Sequence, residues 1–345
     1  MDEERDLPPD TIVVNIIDDE DAGWSIMSKT DMDIPTINTK EEDTHEGKNS
    51  AEPKLPMNHR NSCYIDSVLV ALFVENNVMV TSMFLTSILP IADKPSQFIY
   101  GSTGKEDLKM RQRIQKTLIG IVKQLRQGQE NEDGITNLRS LLGQCRFGSN
   151  FDSGDQEDAS DFLAVLCQVF NVHDHQNQQT MQVFGSHDLV NTPPKTATLT
   201  TDLTNSMGIV HHVFDWKPGC LVKNTISNTL DSIVEPFSEQ KFVRATTVTR
   251  FMPNLFFAVH VDRTATGKIN RSSLFIETSI TSSGRTFKLM SIVLHMGGIG
   301  SGHYVCLIFK EHKLFLYDDM NQSLTLSTFT AQQIAQHCVI IFYSV

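Results

Sequence analysis

Cysteine chemistry needs a thiolate, a base that generates it and a group that orients the base. This chain offers all three in order. Asn61-Ser62-Cys63-Tyr64 leads into an apolar run with helical spacing, which places Cys63 at a helix N-terminus. There the exposed N–H groups and the helix dipole favour the thiolate, against a free thiol pKa of ~8.5. Far along the chain, Gly300-Ser301-Gly302-His303-Tyr304 lies between two strand-like runs, with glycines that open access to the imidazole. Fifteen residues on, past a hairpin-like turn through Lys310 to Lys313, comes Tyr317-Asp318-Asp319. Two adjacent antiparallel strands would set His303 beside Asp318, so that a carboxylate orients the base. Asn58, five residues before the cysteine, is placed to donate to a developing oxyanion. Each feature alone has a plainer reading: a small buried hydrophobe, a turn, a solvated strand end. Their conjunction points to nucleophilic catalysis.

The elements that must position these residues fall into two halves. From about residue 55 to 170 the signals are helical. Cys63 to Val74 sets Val68, Leu69, Leu72 and Phe73 on one face; residues 104–127 space Leu108, Ile114, Leu118, Ile121, Val122 and Leu125 helically. Residues 158–170 repeat the pattern with Phe162, Leu163, Leu166 and Val169, and Asp158 suits the first turn by its charge. Beyond residue 180 the runs read as strands: Thr196 to Thr201, Asn254 to Val261, Ser291 to Leu294, Tyr304 to Phe309 and Leu314 to Tyr317. There is no internal repeat. Helices first and strands later predict an α+β body.

Charge divides the chain differently. The 345 residues carry a formal net charge of −12, and residues 1–54 alone hold 16 acidic and 5 basic side chains. The rest is close to neutral, so the chain reads as a globular body behind an acidic, mostly disordered leader. A neutral body offers no electrostatic footprint for nucleic acid, and the leader would repel phosphate. No apolar run approaches the ~18 residues of a membrane span. The leader also lacks the basic start and apolar stretch of a secretory signal. The six cysteines are scattered singly, which argues against a disulfide framework and a structural zinc site, so no metal or cofactor is expected. An intracellular address, cytoplasmic and/or nuclear, follows.

Four ordered motifs carry a resemblance to the ubiquitin-specific proteases. Leu55-x-x-Asn58-x-x-Asn61-Ser62-Cys63-Tyr64-x-Asp66-Ser67 resembles that family's cysteine box, Leu-x-Asn-x-Gly-Asn-Thr-Cys-Tyr-x-Asn-Ser. Gln156-Glu157-Asp158-Ala159-Ser160-Asp161-Phe162-Leu163 resembles its Gln-Gln-Asp-Ala-x-Glu-Phe-Leu helix. Met252-Pro253-Asn254-Leu255 through His260-Val261-Asp262-Arg263 resembles its Leu-Pro-x-x-Leu…His-Leu-x-Arg strand. Phe287-Lys288-Leu289 to His295-Met296-Gly297, with Gly302-His303-Tyr304 and Tyr317-Asp318-Asp319, resembles the histidine box. The resemblance covers residues 55–345. It implies a papain-like catalytic domain, with a helical thumb (55–170) and a β palm and fingers (171–345). The implied reaction is hydrolysis after ubiquitin's C-terminal glycine through a thioester. By position, Cys63 is then the nucleophile, His303 the base, Asp318 the orienting carboxylate and Asn58 the oxyanion donor, with Asp319 assisting. Asp158, Asp161, Gly302 and Tyr304 fall at substrate-binding positions, the acids facing the basic tail of ubiquitin.

The departures are specific. Arg60 stands where that family has Gly, Asp66 where it has Asn, and Leu55 lies one residue further from Asn58 than the pattern expects. A charge at Arg60 could tune access or the thiol. The paired zinc-ligand cysteines of the fingertips are missing, and His211-His212 on one strand would face opposite ways. The expectation is a reduced, metal-free fingers region. That leaves open a protease for SUMO or another ubiquitin-like modifier. A catalytically inactive ubiquitin-binding adaptor is the other alternative, which the presence of Cys63, His303 and Asp318 argues against. In the leader, Val14-Asn15-Ile16-Ile17 followed by Asp18-Asp19-Glu20-Asp21 resembles a SUMO-interacting motif, with Val14, Ile16 and Ile17 as the apolar contacts. The plainer readings are a stray apolar run or a segment that docks on the body itself.

Overall fold

The structure, a computed structural model, describes residues 55–184 except 130 and 149, then 204–207, 210–212, 233–240, 243–253 and 255–261. It also describes 263–345, except 264–268, 270, 272, 273, 275, 283 and 299. The acidic leader with Val14, Ile16 and Ile17, the run Thr196 to Thr201, and Cys220 lie outside the described residues.

The helical half contains α1 (Cys63–Phe73), α2 (Val78–Thr81), α3 (Gly104–Arg126), α4 (Glu132–Gly143) and α5 (Ala159–Phe170). All eleven residues of α1 are buried, as expected of a helix that is apolar nearly all round. α3 is amphipathic and starts on Thr103, whose side chain accepts from the Glu106 N–H. Lys123 and Arg126 in its last turn suit the negative end of the dipole. α5 starts on Asp158, which accepts the Ser160 N–H, and ends on Asn171 in the left-handed region. α4 was not foreseen. Its Ile135, Leu138, Leu141 and Leu142 recur at helical spacing and are buried, so the signal was present in a short stretch.

The strands are β1 (His173–Phe184), β2 (Thr204–Met207), β3 (Val210–His212), β4 (Ile233–Gln240), β5 (Val243–Pro253) and β6 (Phe256–Val261). They continue with β7 (Ser279–Ser282), β8 (Arg285–Gly298), β9 (Ser301–Lys310), β10 (Lys313–Tyr317), β11 (Leu324–Leu326) and β12 (Cys338–Ser344). A late helix, α6 (Ala331–His337), interrupts the strand-rich half. β2-β1-β5-β4 form one sheet; β11-β10-β9-β8-β12-β6-β3 form a second, with β7 on β8. Among the described residues, pairing is antiparallel except for β3 on β6, where His211 sits opposite His260. The fold is α+β.

The larger sheet has a core on each face. One face takes α1 and α5 through Phe256, Val293, Cys306 and Phe342. The other packs Phe257, Ile292, Leu307, Ile341 and Tyr343 against one another and Ile334 of α6. Ser291 of β8 donates to the Ala71 carbonyl at 2.8 Å, pinning α1 to the sheet. The β9–β10 hairpin turns on Glu311 and His312, both at positive φ, as a two-residue turn that matches strand twist requires. This places Tyr317 opposite Cys306, and delivers Asp318 to the same sheet end as His303.

Candidate active site

Cys63 is the first residue of α1 and its thiol is free and buried, 3 % exposed. The loop before it is tightly held. Arg60 and Asn61 both adopt positive φ, 51° and 59°. The Arg60 carbonyl accepts from Arg139 Nη1 at 2.6 Å, and Asn61 Nδ2 donates to the Gly154 carbonyl at 3.2 Å. The Ser62 hydroxyl accepts the His59 N–H and donates to buried Asp66. A left-handed backbone explains why a glycine suits position 60: there the side chain strains the loop that aims the thiol. Arg60→Gly is expected to stabilise the fold by up to about 1 kcal/mol, the relief of strain exceeding the added chain entropy. Thermal unfolding checks it.

His303 stands on β9. Its Nε2 lies 2.9 Å from Asp318 Oδ1 and 3.3 Å from Asp319 Oδ1. With Nε2 engaged by the acids, Nδ1 is left for the thiol. The hydrogen bond with Cys63, opposed by burial and aided by Asp318, raises the His303 pKa from 6.5 to about 9. The imidazole is therefore a proton holder at neutral pH. Asp319 is fully buried. Burial lifts its pKa from 3.8 to about 6, against the pull of His303, and neither of its oxygens has an aligned hydrogen-bond donor among the described residues. Burial also raises Asp66 well above the carboxylate range, helped by the Asp319 charge and opposed by the Ser62 hydrogen bond. One ligand atom each from Cys63, His303 and Asp319 lies within 4.8 Å of the others. The same spacing could hold a metal ion, but it is also the spacing a thiol, its base and its acid need.

Gln156 has a role that its place in the second motif does not reveal. Its Nε2 reaches Cys63 Sγ at 3.9 Å while its Oε1 accepts the Gly302 N–H at 3.2 Å. The side chain therefore links the nucleophile to the strand carrying the base. Nothing else in the sequence marks that bridge. Asn58 is half-buried, and its backbone N–H binds the Asp319 carbonyl at 3.2 Å. Its carboxamide has no hydrogen bond among the described residues.

The remaining residues group at the cleft edge. Tyr304 is buried, its ring 4.6 Å from that of His295. Asp158 and Asp161 are exposed on the first turn of α5. Burial and the charges of Asp161, Asp155 and Asp158 raise the Glu157 pKa, so this edge is strongly negative. A Cβ added at Gly302 would meet His295 Nε2 at 2.5 Å and the Met296 carbonyl at 2.6 Å. Gly302→Ala is thus expected to displace β9 beside His303 and lower kcat/KM about 10–100-fold with little loss of folded protein. Steady-state kinetics with circular dichroism checks both halves.

Comparison with known proteins gives one family and one fold. The family model described as "Ubiquitin carboxyl-terminal hydrolase" matches residues 56–343. No curated protein sequence matches the chain. Among solved structures, the SAGA Ubp8/Sgf11/Sus1/Sgf73 DUB module bound to ubiquitin aldehyde is similar at 12 % identity and TM-score 0.53. That match covers 86 % of this chain and 70 % of the other. The same module with a cysteine-to-alanine Ubp8, bound to monoubiquitin, is similar at 13 % identity and TM-score 0.54, covering 84 % and 68 %.

Proposed function

The chain belongs to the ubiquitin carboxyl-terminal hydrolase family, and on that premise we propose that Cys63 cleaves the (iso)peptide bond after ubiquitin's C-terminal glycine. The observation that carries this reading is the single cluster of Cys63, His303, Asp318 and Asp319 at the N-terminus of α1. The thiolate attacks the glycine carbonyl, forming the C–S bond while the carbonyl oxygen takes the charge. Asn58 and Gln156, both beside the sulfur's loop, are the donors available to that oxyanion. Collapse breaks the C–N bond, and the His303 imidazolium gives its proton to the leaving amine. A water then attacks the thioester, losing one proton to His303, and collapse breaks the C–S bond, releasing ubiquitin's carboxyl group, whose proton goes to solvent, and restoring the thiolate. Asp318, with Asp319 behind it, holds the imidazole throughout.

The acids at the cleft edge, Asp158 and Asp161, suit a basic peptide tail, and Gly302 and Tyr304 line the same edge. Hydrolysis of a ubiquitin C-terminal fluorogenic amide, run beside its SUMO counterpart, tests the modifier. Turnover of the ubiquitin amide is expected; turnover of the SUMO amide alone would overturn the assignment. Recruitment by SUMO through Val14, Ile16 and Ile17 is a separate proposal resting on sequence. It is checked by loss of SUMO pull-down on Ile16→Ala with Ile17→Ala. A cytoplasmic and/or nuclear address is proposed as the place where ubiquitin conjugates are found.

A further inference from the structure

One face of α3 has no part in the site. Lys105, Lys109, Arg113, Lys116 and Lys123 follow one another at spacings of four, four, three and seven residues, and all are exposed. They share one side of the helix over about 27 Å. Glu106, in the first turn of the same helix, is turned to the loop before α3, accepting from the Ser102 N–H and hydroxyl. None of the five makes an ion pair among the described residues. Like charges three and four residues apart repel along a helix, so the row is costly unless something meets it.

An apolar margin runs beside the row. Ile119, between Lys116 and Lys123, is 43 % exposed, Ile88 97 % and Ile91 59 %. The segment carrying Ile88 and Ile91 lies along α3: Gln115 Nε2 donates to the Ser87 carbonyl at 3.2 Å, and a Cβ at Gly104 would meet Ile91 Cγ2 at 3.1 Å. The surface therefore asks for a partner that is apolar and then acidic.

The chain holds such a segment. Val14-Asn15-Ile16-Ile17 runs straight into Asp18-Asp19-Glu20-Asp21, within a leader of net charge −11. Extended, the four acids span about 13 Å, about half the length of the row. The leader joins the body at Leu55, whose N–H binds the Gln322 carbonyl. The 34 residues from Asp21 to Leu55 can reach about 110 Å, twice the ~50 Å breadth expected of a body this size, so every part of it is within range. We propose that residues 14–21 dock on the exposed face of α3, the isoleucines against Ile88, Ile91 and Ile119 and the acids against the lysines. Docking in cis keeps the same apolar-acidic segment from other partners until they compete for it.

Carbodiimide cross-linking of the full chain, mapped by mass spectrometry with a mixture of two isotope-labelled copies, tests this. Amide links from Asp18 to Asp21 onto Lys105, Lys109 or Lys116 are expected within one chain. They should be lost at high salt and in the triple variant Lys105→Glu, Lys109→Glu, Lys116→Glu. Links that spread evenly over Lys288, Lys310 and Lys313, or that join two copies, would overturn the proposal. Flotation with phosphatidylserine vesicles separates a membrane from the leader as the occupant. Neutralising the segment (Asp18→Asn, Asp19→Asn, Glu20→Gln, Asp21→Asn) should increase vesicle binding by the unmasked face. Equally tight binding before and after neutralisation would show the face was never covered.

Discussion

Asparagine in place of Asp318 is expected to lower kcat about 10²–10³-fold. Asp318 Oδ1 accepts a hydrogen bond from the Nε2–H of His303 at 2.9 Å, which fixes the ring's orientation and leaves Nδ1 for Cys63. An amide no longer imposes that arrangement, and in a serine-protease triad the same change costs about 10⁴. The smaller figure here reflects Asp319, whose Oδ1 stays 3.3 Å from the same nitrogen. Changing both acids to asparagine should restore the full loss. The pH profile separates orientation from general damage. His303 holds its proton to about pH 9 in the folded protein, so activity that needs the imidazolium should decline above about pH 9. Loss of the Asp318 hydrogen bond should move that limb to lower pH. Folding carries the same sign: a raised histidine pKa contributes stability that is present below about 6.5 and lost as pH rises through about 9. Asp319→Asn alone should cost activity about tenfold. It should also gain about 1 kcal/mol of stability above pH 6, where the native carboxylate is charged in a buried place. An Asp318→Asn enzyme within threefold of wild type would remove this residue from the mechanism.

Removing Arg111 should cost about 3–5 kcal/mol of stability, enough to unfold a marginal domain. Its guanidinium is buried and makes four hydrogen bonds. Nε pairs with Asp107 at 2.7 Å, Nη1 donates to the Gln168 and Val169 carbonyls, and Nη2 donates to the Gln97 carbonyl. The two carbonyls belong to the last turn of α5, where the Asn171 N–H reaches only Gln168 of the pair. Asp107 in turn accepts the Ile99 and Tyr100 N–H groups. Arg111→Ala takes the counter-charge from a buried carboxylate and a donor from three carbonyls, so the loss exceeds what the ion pair itself contributes. The midpoint of urea unfolding is the check, and a shift corresponding to less than 1 kcal/mol would contradict it.

Much of the fold was legible because the helices are strongly patterned. The runs at Cys63, residues 104–127 and 158–170 became α1, α3 and α5 within a residue or two at each end, since their apolar spacing agrees with clear starts at Thr103 and Asp158. β6, β8, β9 and β10 were legible because β-branched and aromatic runs were bounded by turns, whereas β7, β11 and β12 were not foreseen. α4 and α6 escaped notice as short helices whose burial depends on neighbours distant in sequence. At the site, residue types and order located Cys63, His303 and Asp318, but spacing cannot report a side chain that bridges two distant segments. Gln156, reaching Cys63 and Gly302 together, is of that kind. Arg60 is the opposite case. Read as a sequence it raised questions of charge and access, whereas its positive φ shows that the glycine it replaces would serve the backbone.

The most direct test of the central claim is mass spectrometry of the protein after reaction with ubiquitin bearing a C-terminal electrophile. One ubiquitin should add, with the adduct on Cys63 and on none of Cys145, Cys167, Cys306 or Cys338, which are all buried thiols. Cys63→Ala should abolish the adduct while the protein remains folded. No adduct with the wild-type chain, or an adduct that survives Cys63→Ala, would contradict the account.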